Sequence, residues 1–208
     1  MADANAQQNK ETPQKRTVKK LEPLKVRCTS SNCDSGLHCF LASQKMLKEN
    51  QNGLCRSCGI SLIDWKRIHQ HNVDDVAYTF SSLKKEFVRH HFWHLDIDIK
   101  ASNHARRKGK SGMVEAIDKR INKYLAPAEP PFDGRQTPKS GNSIFYAQHA
   151  TGTCCRKCVQ EWHGVNKGVA LSPEQVNYFS RLIMLFIEER LPFLTEHGEK
   201  IPSISRLR

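Results

Sequence analysis

The sequence lacks any long hydrophobic run. No apolar stretch approaches the roughly 20 residues that a helix needs to cross a bilayer, and the N-terminal stretch MADANAQQNKETPQKR has no apolar segment of the kind that directs secretion. We therefore expect a soluble, cytoplasmic protein without membrane association. Hydrophobic residues make up only 38% of the 208 residues, so the core is modest and metal cross-links would add to its stability.

Acidic residues are also scarce. The chain has 33 Lys and Arg against 21 Asp and Glu, which gives a formal net charge of +12. Two zinc sites with three or four thiolates each would lower this charge to roughly +9, which still attracts a polyanion. We predict a nucleic acid, DNA or RNA, as the partner, and the alternative is a basic surface that only maintains solubility. The candidate contact residues are Lys19, Lys20, Arg106, Arg107, Lys108 and Lys110.

Composition divides the chain into five segments, and the predicted fold class is mainly α with small irregular or β parts. A cysteine-rich module like a zinc ribbon or treble clef precedes a compact helical domain that carries a second Cys/His site. The predicted segments are a flexible basic arm at 1–27, the zinc module at 28–66, a helix and basic loop at 67–111, the helical domain at 112–196 and a basic tail at 197–208.

Hydrophobic periodicity predicts three helices, at 73–95, 112–125 and 173–191. The last is the clearest, because Ser172 suits the N-cap, Pro173 the first helical position, and Gln175 completes a capping box. The Pro- and Gly-rich stretch 126–147 is predicted to be a loop that ends in a short strand at 143–147, and the cationic stretch 103–110 is predicted to be a loop.

The eight cysteines form two clusters. In a reducing compartment such clusters indicate metal ligands rather than disulfides. The first cluster pairs Cys28 with Cys33 and Cys55 with Cys58, the spacing of a closed, structural tetrahedral zinc site. Cys39 and His38 compete for the places of Cys28 and Cys33, and a Cys39 that is left over would be a small buried side chain.

The second cluster offers His149, Cys155, Cys158 and His163 as ligands of a second zinc ion, with Cys154 as an alternative. Three cysteines and a histidine could also hold an iron–sulfur cluster. The competing interpretation is chemical. A cysteine beside Arg156 and Lys157 would have a lowered pKa and could act as a nucleophile.

A third constellation is formed by Glu86, His90 and His94, which a helix would stack on one face. Two histidines at this spacing can hold one metal ion in an open site that activates water, as in a hydrolase or nuclease. The alternative is a solvated helical face, which is favoured because no glutamate lies between the histidines as it does in hydrolytic zinc helices.

The strings Asp133-Gly-Arg-Gln-Thr-Pro138, Gln148-His-Ala-Thr-Gly-Thr-Cys-Cys-Arg-Lys-Cys158 and Trp162-His-Gly164 carry a resemblance. In them the chain resembles an uncharacterised bacterial family known only as a domain of unknown function, over roughly residues 112–192. The resemblance implies a domain boundary and a candidate site but no reaction, and it makes the cysteine-rich module an addition to the usual domain. The site residues that it implies are Asp133, Gln136, His149, Cys154, Cys155, Cys158, Trp162 and His163.

The sequence thus predicts a zinc-binding protein, with about two ions, that associates with nucleic acid. The first alternative is an enzyme, either a metal-dependent hydrolase or nuclease or a reactive-cysteine enzyme that uses the second cluster. The second alternative is an interaction module in which zinc only maintains a protein-binding surface.

Overall fold

The computed structural model describes residues 26–202, and within them the protein is built almost entirely of helices. The only strand-like pairings among these residues are two isolated bridges, Asn32 with Leu37 and His38 with Glu86. The predicted fold class, mainly α, is therefore confirmed. The helices are α1 (Gln44–Lys48), α2 (Trp65–Ile68), α3 (Val76–Leu83), α4 (Phe87–His94), α5 (Ile99–Tyr124), α6 (Ser143–Ala150), α7 (Arg156–His163) and α8 (Pro173–Arg190), with short 3-10 turns at Cys33–Ser35 and Val73–Asp75.

Helix α8 is the central element of the fold. The Ser172 side chain accepts a hydrogen bond from the Gln175 backbone N–H, and the Gln175 side chain accepts one from the Ser172 N–H, so the predicted capping box is present. Phe179, Phe186 and Ile187 are fully buried. Helices α3, α5 and α6 pack against α8, and α4 packs against α6. The helix that the sequence marked most clearly therefore organises the core.

One hydrophobic core joins the cysteine-rich segment to the helices that follow it. It runs from Phe40 to Leu194 and includes Cys55 and Ile63 of the cysteine-rich segment. The Phe40 ring meets the rings of Trp65 and Trp162 edge-on, at 5.8 and 5.9 Å between centroids. The two halves of the chain therefore fold against each other over a shared aromatic contact.

The predicted helix 73–95 is broken in the structure. Helix α3 ends at Leu83 and α4 begins at Phe87, because the intervening backbone bonds to His38 instead of continuing the helix. The His38 N–H donates to the Lys85 carbonyl at 2.8 Å, and the Phe87 N–H donates to the His38 carbonyl at 2.9 Å. A hydrogen-bond partner from a distant part of the chain thus overrides the local helical pattern.

Two further local predictions were wrong. Residues 143–147 are not a strand but the start of α6, where the Asn142 side chain accepts from the Ile144 N–H at 2.9 Å and caps the helix. Residues 103–110 are not a loop but lie within α5, which kinks at Gly109 with φ of 65°. The kink makes room for the C-terminal segment, since a side chain at Gly109 would meet the backbone of His197 and Gly198.

None of the helices that the structure describes is both long enough and apolar enough to cross a membrane.

Candidate metal centres

The first group that could hold a metal ion consists of Cys33, His38, Cys55 and Cys58, whose donor atoms all lie within 4.8 Å of one another. The sulfurs of Cys33 and Cys55 are 3.7 Å apart, and Cys58 Sγ lies 3.5 Å from His38 Nδ1. With Zn–S of about 2.3 Å and Zn–N of about 2.05 Å, a tetrahedral site separates two sulfurs by about 3.8 Å and a sulfur from a nitrogen by about 3.6 Å. The donor spacing therefore fits one four-coordinate zinc ion.

Tight turns position these donors. Cys33 starts a 3-10 turn that Gly36 ends in the left-handed region, with φ of 72°. Cys55 and Cys58 lie on a knuckle in which the Gly59 N–H donates to the Cys55 carbonyl at 2.8 Å. His38 is held by its backbone bonds to the α3–α4 junction. A metal ion here would join two turns of the module to the helical domain.

The thiols of this group have different proton affinities. Burial alone would raise the pKa of the Cys55 thiol, but hydrogen bonds from backbone groups of Cys39, Cys58 and Ser57 lower it to about 6. Burial and the neighbouring thiols raise the pKa of Cys33 to about 11. A metal ion would displace the remaining protons, so its affinity must fall as the pH falls.

Cys28 and Cys39 lie outside the first group. The fourth donor of the group is His38 and not Cys28, in agreement with the alternative in which His38 competes for that place. The Cys39 thiol donates to the Cys28 carbonyl at 3.4 Å and is fully buried, and burial raises its pKa to about 11. Cys39 therefore behaves as a small buried side chain.

The second group consists of Cys154, Cys155 and Cys158, whose sulfurs also lie within 4.8 Å of one another. Cys155 is the N-cap of α7, and the thiol of Cys154 donates to Cys158 Sγ at 3.4 Å. Hydrogen bonds from the Cys154 and Cys158 side chains, together with the backbone of Cys158 and Lys157, lower the pKa of Cys155. Donating to its two neighbours raises the pKa of Cys154. The site thus favours a thiolate on Cys155.

A buried ion pair lies directly behind these thiols. Arg89 Nε donates to Glu86 Oε2 at 2.9 Å, and Arg89 Nη2 donates to Cys158 Sγ at 3.4 Å. Trp162 Nε1 donates to the same carboxylate oxygen of Glu86 at 2.7 Å. Burial alone would lower the pKa of Arg89, but Cys158 and Glu86 raise it well above its ordinary value. A fixed positive charge therefore stabilises negative charge on the sulfurs.

The structure places His149 and His163 beside the second group but not in it. His149 Nε2 bonds to the Thr137 carbonyl at 2.9 Å, and its ring stacks on Phe92 at 4.4 Å. His163 Nε2 bonds to the Thr151 carbonyl at 3.0 Å, and burial lowers its pKa to about 3. Both rings thus bond to backbone carbonyls near the cysteines and lie outside the group of donor atoms. Their role as metal ligands stays a prediction.

The structure does not bring Glu86, His90 and His94 to one site. Glu86 is buried with Arg89, whereas the rings of His90 and His94 lie nearer the surface, 4.1 Å apart between centroids and tilted by 36°. Because α4 begins only at Phe87, Glu86 precedes the helix and points to the core instead of along the histidine face. The predicted constellation required Glu86 to lie in the same helix as the two histidines, and it lies outside that helix.

The predicted nucleic-acid contacts fall into two sets. Arg107 and Lys108 are exposed on α5, whereas Arg106 is paired with Glu199 at 2.8 Å. Lys110 lies next to the kink at Gly109, where its N–H donates to the Thr195 carbonyl. Lys19 and Lys20 lie outside the residues that the structure describes.

Two cavities meet at the second group. One of about 200 Å³ lies between Trp162, Phe40 and the Glu86–Arg89 pair and reaches Cys155 and Cys158. The other, of about 240 Å³, lies under the loop that contains the Asp-Gly-Arg-Gln-Thr-Pro string. Gln136 and Cys155 line both. Sequence reasoning missed Arg89 and Arg120, because neither lies in a motif and only the fold brings them to the cysteines.

Residues 77–188 match the family described as Domain of unknown function (DUF4186). The match covers more than half of the chain. It starts earlier than the residues that suggested the resemblance, so that Glu86 and Arg89 belong to the family domain together with the second cysteine group, while the donors of the first group precede it. No solved structure matches the chain. The chain therefore belongs to the DUF4186 family of domains of unknown function.

Proposed function

We propose that the protein binds two zinc ions, one that stabilises the fold and one that serves a ligand-binding or catalytic centre. The single observation that carries this proposal is the convergence of soft donors from separate turns on two points, with the first group at tetrahedral spacing. All eight cysteines are free thiols, so each of them is available as a metal ligand.

The first site is proposed to be structural. Its four donors complete a tetrahedron, so no coordination position remains for a substrate. The donors come from two turns of a segment with few buried apolar residues, and such segments fold only when the metal is present. Zinc at this site would fasten the segment to the α3–α4 junction through His38.

The second site is proposed to be the functional one. Three cysteines leave one of the four positions of a zinc ion for water or a substrate, which is the arrangement of catalytic zinc sites. Cys155 and Cys158 line the cavity of about 200 Å³, so a ligand in that cavity could reach the fourth position. Arg89 would orient the thiolate of Cys158 and offset part of its charge.

Metal content tests both sites at once. The protein is purified without chelator and analysed by inductively coupled plasma mass spectrometry, beside Cys58→Ala, Cys158→Ala and, as a control, Cys28→Ser, because Cys28 is exposed and belongs to neither group. We expect two zinc ions per chain, one in each of the first two variants and two in the control. Equal metal content in wild type and Cys158→Ala would contradict the second site, and iron with acid-labile sulfide would replace zinc by a cluster.

A reactive-cysteine enzyme is the second candidate, and the lowered pKa of Cys155 at the start of α7 favours it. Alkylation distinguishes the two candidates. A metal-bound thiolate resists iodoacetamide until a chelator removes the ion, whereas a free nucleophile reacts at once. Labelling of Cys155 in wild type at full metal content, located by mass spectrometry with exposed Cys28 as the internal standard, would favour the nucleophile.

Nucleic-acid association is proposed from the charge on α5. This helix carries eight basic and two acidic residues, and Arg107 and Lys108 are exposed. Anisotropy with a fluorescent oligonucleotide at several salt concentrations tests it. If both residues contact phosphates, the variant Arg107→Gln/Lys108→Gln lowers the salt slope by roughly 2. The control Lys45→Gln/Lys48→Gln on α1 removes the same charge, and an equal loss in both variants would show only nonspecific attraction.

A further inference from the structure

The cavity of about 240 Å³ has an unusual lining for a site inside a helical domain. It lies between the C-terminal half of α5 and the loop 130–138, and it ends at Cys154 and Cys155. Three guanidinium groups line it, and Tyr124 and Phe145 supply aromatic walls. The basic residues are Arg120, Arg135 and Arg156.

Arg156 is a buried cation that forms no ion pair within residues 26–202, and burial lowers its pKa although the charge of Asp133 acts in the opposite direction. The residue is only 1% exposed, and its guanidinium donates to three carbonyls, those of Leu125 at 3.1 Å, Asn166 at 2.7 Å and Val169 at 2.5 Å. Its Nε is buried and has no hydrogen-bond partner in the described part of the chain. Carbonyl dipoles satisfy part of this guanidinium, but they do not neutralise its charge.

Arg120 is in a similar position. Its Nη2 donates to Thr137 Oγ1 at 3.2 Å, its Nε donates to the Gln148 side chain, and its guanidinium lies 4.5 Å from the centre of the Phe145 ring. No acidic side chain within residues 26–202 forms an ion pair with it. Burial lowers the pKa of Arg120. Two guanidinium groups therefore share one cavity without a counter-ion from this part of the protein.

Asp133 is the one carboxylate that lines the cavity. Its Oδ1 accepts from the Gly134 N–H at 2.9 Å, and it is exposed at the rim. One exposed carboxylate does not balance three cations. A buried or half-buried charge without a partner is costly, and an anion that enters the cavity would remove that cost.

Phe132 marks the mouth of the cavity. It is 70% exposed, and its backbone lies in the left-handed region with φ of 64°, which a bulky residue rarely adopts. The Arg135 guanidinium lies 5.9 Å from the centre of its ring. Such backbone strain persists where the surrounding structure enforces it, and strained residues concentrate at ligand sites.

We propose that this cavity binds a small molecule with a phosphate or carboxylate group, held by Arg120 and Arg156 inside the cavity and by Arg135 at its mouth. Guanidinium forks recognise both groups by paired hydrogen bonds. A cavity of about 240 Å³ suits a single phosphate or a short di-acid. The bound anion would lie next to Cys155, which makes it the substrate class of the second site if that site is catalytic. The binding itself does not depend on a metal ion.

Calorimetric titration with inorganic phosphate and with malonate tests the proposal, with sodium chloride holding the ionic strength constant. We expect saturable binding of at least one probe, weakened about tenfold or more in Arg135→Gln and in Arg120→Lys, because each change removes a guanidinium fork. Arg135 is exposed, so its substitution leaves the fold intact, and thermal melting checks the Arg120 variant. The control Arg181→Gln removes an exposed arginine of α8 and should bind like wild type.

Three results would overturn the proposal. The first is that neither probe binds. The second is that both variants bind like wild type, because the anion would then bind at another place or to a metal ion. The third is that only an oligonucleotide binds and Arg135→Gln weakens it, which would assign these arginines to nucleic acid. Zinc content is measured on the same samples. A normal zinc content without anion binding rejects this cavity alone, whereas anion binding without zinc rejects the metal sites alone.

Discussion

The two cysteine groups use the same ligand chemistry in opposite surroundings. The first has four donors, of which His38 and Cys55 are buried and Cys58 is exposed, and backbone hydrogen bonds surround its thiols. The second has three sulfurs at the start of α7, with Cys154 buried, a buried ion pair behind them and cavities on either side. A closed donor set stabilises a fold, whereas an incomplete one beside a cavity leaves room for a ligand.

The two groups also differ in the atoms that interact with their thiols, because only the second lies against the buried pair Glu86–Arg89. At the first group the backbone supplies the charge stabilisation, through hydrogen bonds that lower the pKa of Cys55. At the second group the neighbouring thiols and backbone groups lower the pKa of Cys155, and the buried Arg89 donates to Cys158 Sγ while it is paired with Glu86. The second group therefore depends on side chains from α4, whereas the thiols of the first group depend on backbone hydrogen bonds of their own turns and its His38 on the α3–α4 junction.

The largest expected effect follows from removing the metal. Zinc binding contributes on the order of 10 kcal/mol to the folding of small zinc modules, so a chelator should unfold the segment around Cys33 and Cys58 first. The helices α5 and α8 pack against each other away from this segment and should persist. Limited proteolysis with mass spectrometry checks this order. Cleavage in α8 before cleavage in the segment 28–63 would reverse the assignment of the structural site.

Breaking the buried ion pair should have the next largest effect. Arg89→Met leaves the Glu86 carboxylate buried without its cation, so we expect a loss of about 3–5 kcal/mol in the free energy of unfolding, measured by urea denaturation. The double variant Arg89→Met/Glu86→Gln should recover part of that loss. The control Lys84→Met removes a partly exposed pair with Glu189 and should cost less than about 1 kcal/mol. Equal losses in Arg89→Met and Lys84→Met would contradict a special role for the buried pair.

A smaller effect concerns the pH dependence of stability around the second group. Burial lowers the pKa of His163 to about 3 from an ordinary value of 6.5. Between these values the unfolded chain binds the proton and the folded chain does not, so this histidine lowers stability as the pH falls from about 6.5 toward 3. The slope approaches about 1.4 kcal/mol per pH unit. Urea denaturation at several pH values should show a shallower slope for His163→Gln, and an unchanged slope would mean that the folded protein protonates His163.

The sequence predicted elements that local patterns determine. The capping box at Ser172 and Gln175 predicted the start of α8. The short spacing of Cys55 and Cys58 predicted a turn whose two thiols lie in one group that could hold a metal ion. In both cases residues within three positions of each other carry the physical reason. Such features need no tertiary information.

The sequence failed where a distant partner decides the local structure. His38 interrupts the predicted helix at Lys85, and the C-terminal segment packs at the Gly109 kink. Arg89 meets Cys158 across 69 positions, so no window of the sequence contains both. The candidate ligand sets illustrate the same limit, because spacing identified most of the cysteines but placed Cys28 where the structure has His38 and gave Cys154 only as an alternative.

The smallest predicted effect concerns the hydrogen bonds that fix the backbone of Cys154. The Thr137 hydroxyl donates a hydrogen bond to the Cys154 carbonyl at 2.8 Å and accepts one from Arg120 Nη2 at 3.2 Å. Thr137→Val keeps the shape of this buried side chain but removes both bonds, so we expect a cost of about 1 kcal/mol and a several-fold weaker second metal site. Competition with a chromogenic chelator measures both affinities in one titration. The first site serves as the internal control, because Thr137 touches none of its donors, and equal weakening of both sites would mean that the two groups are not independent.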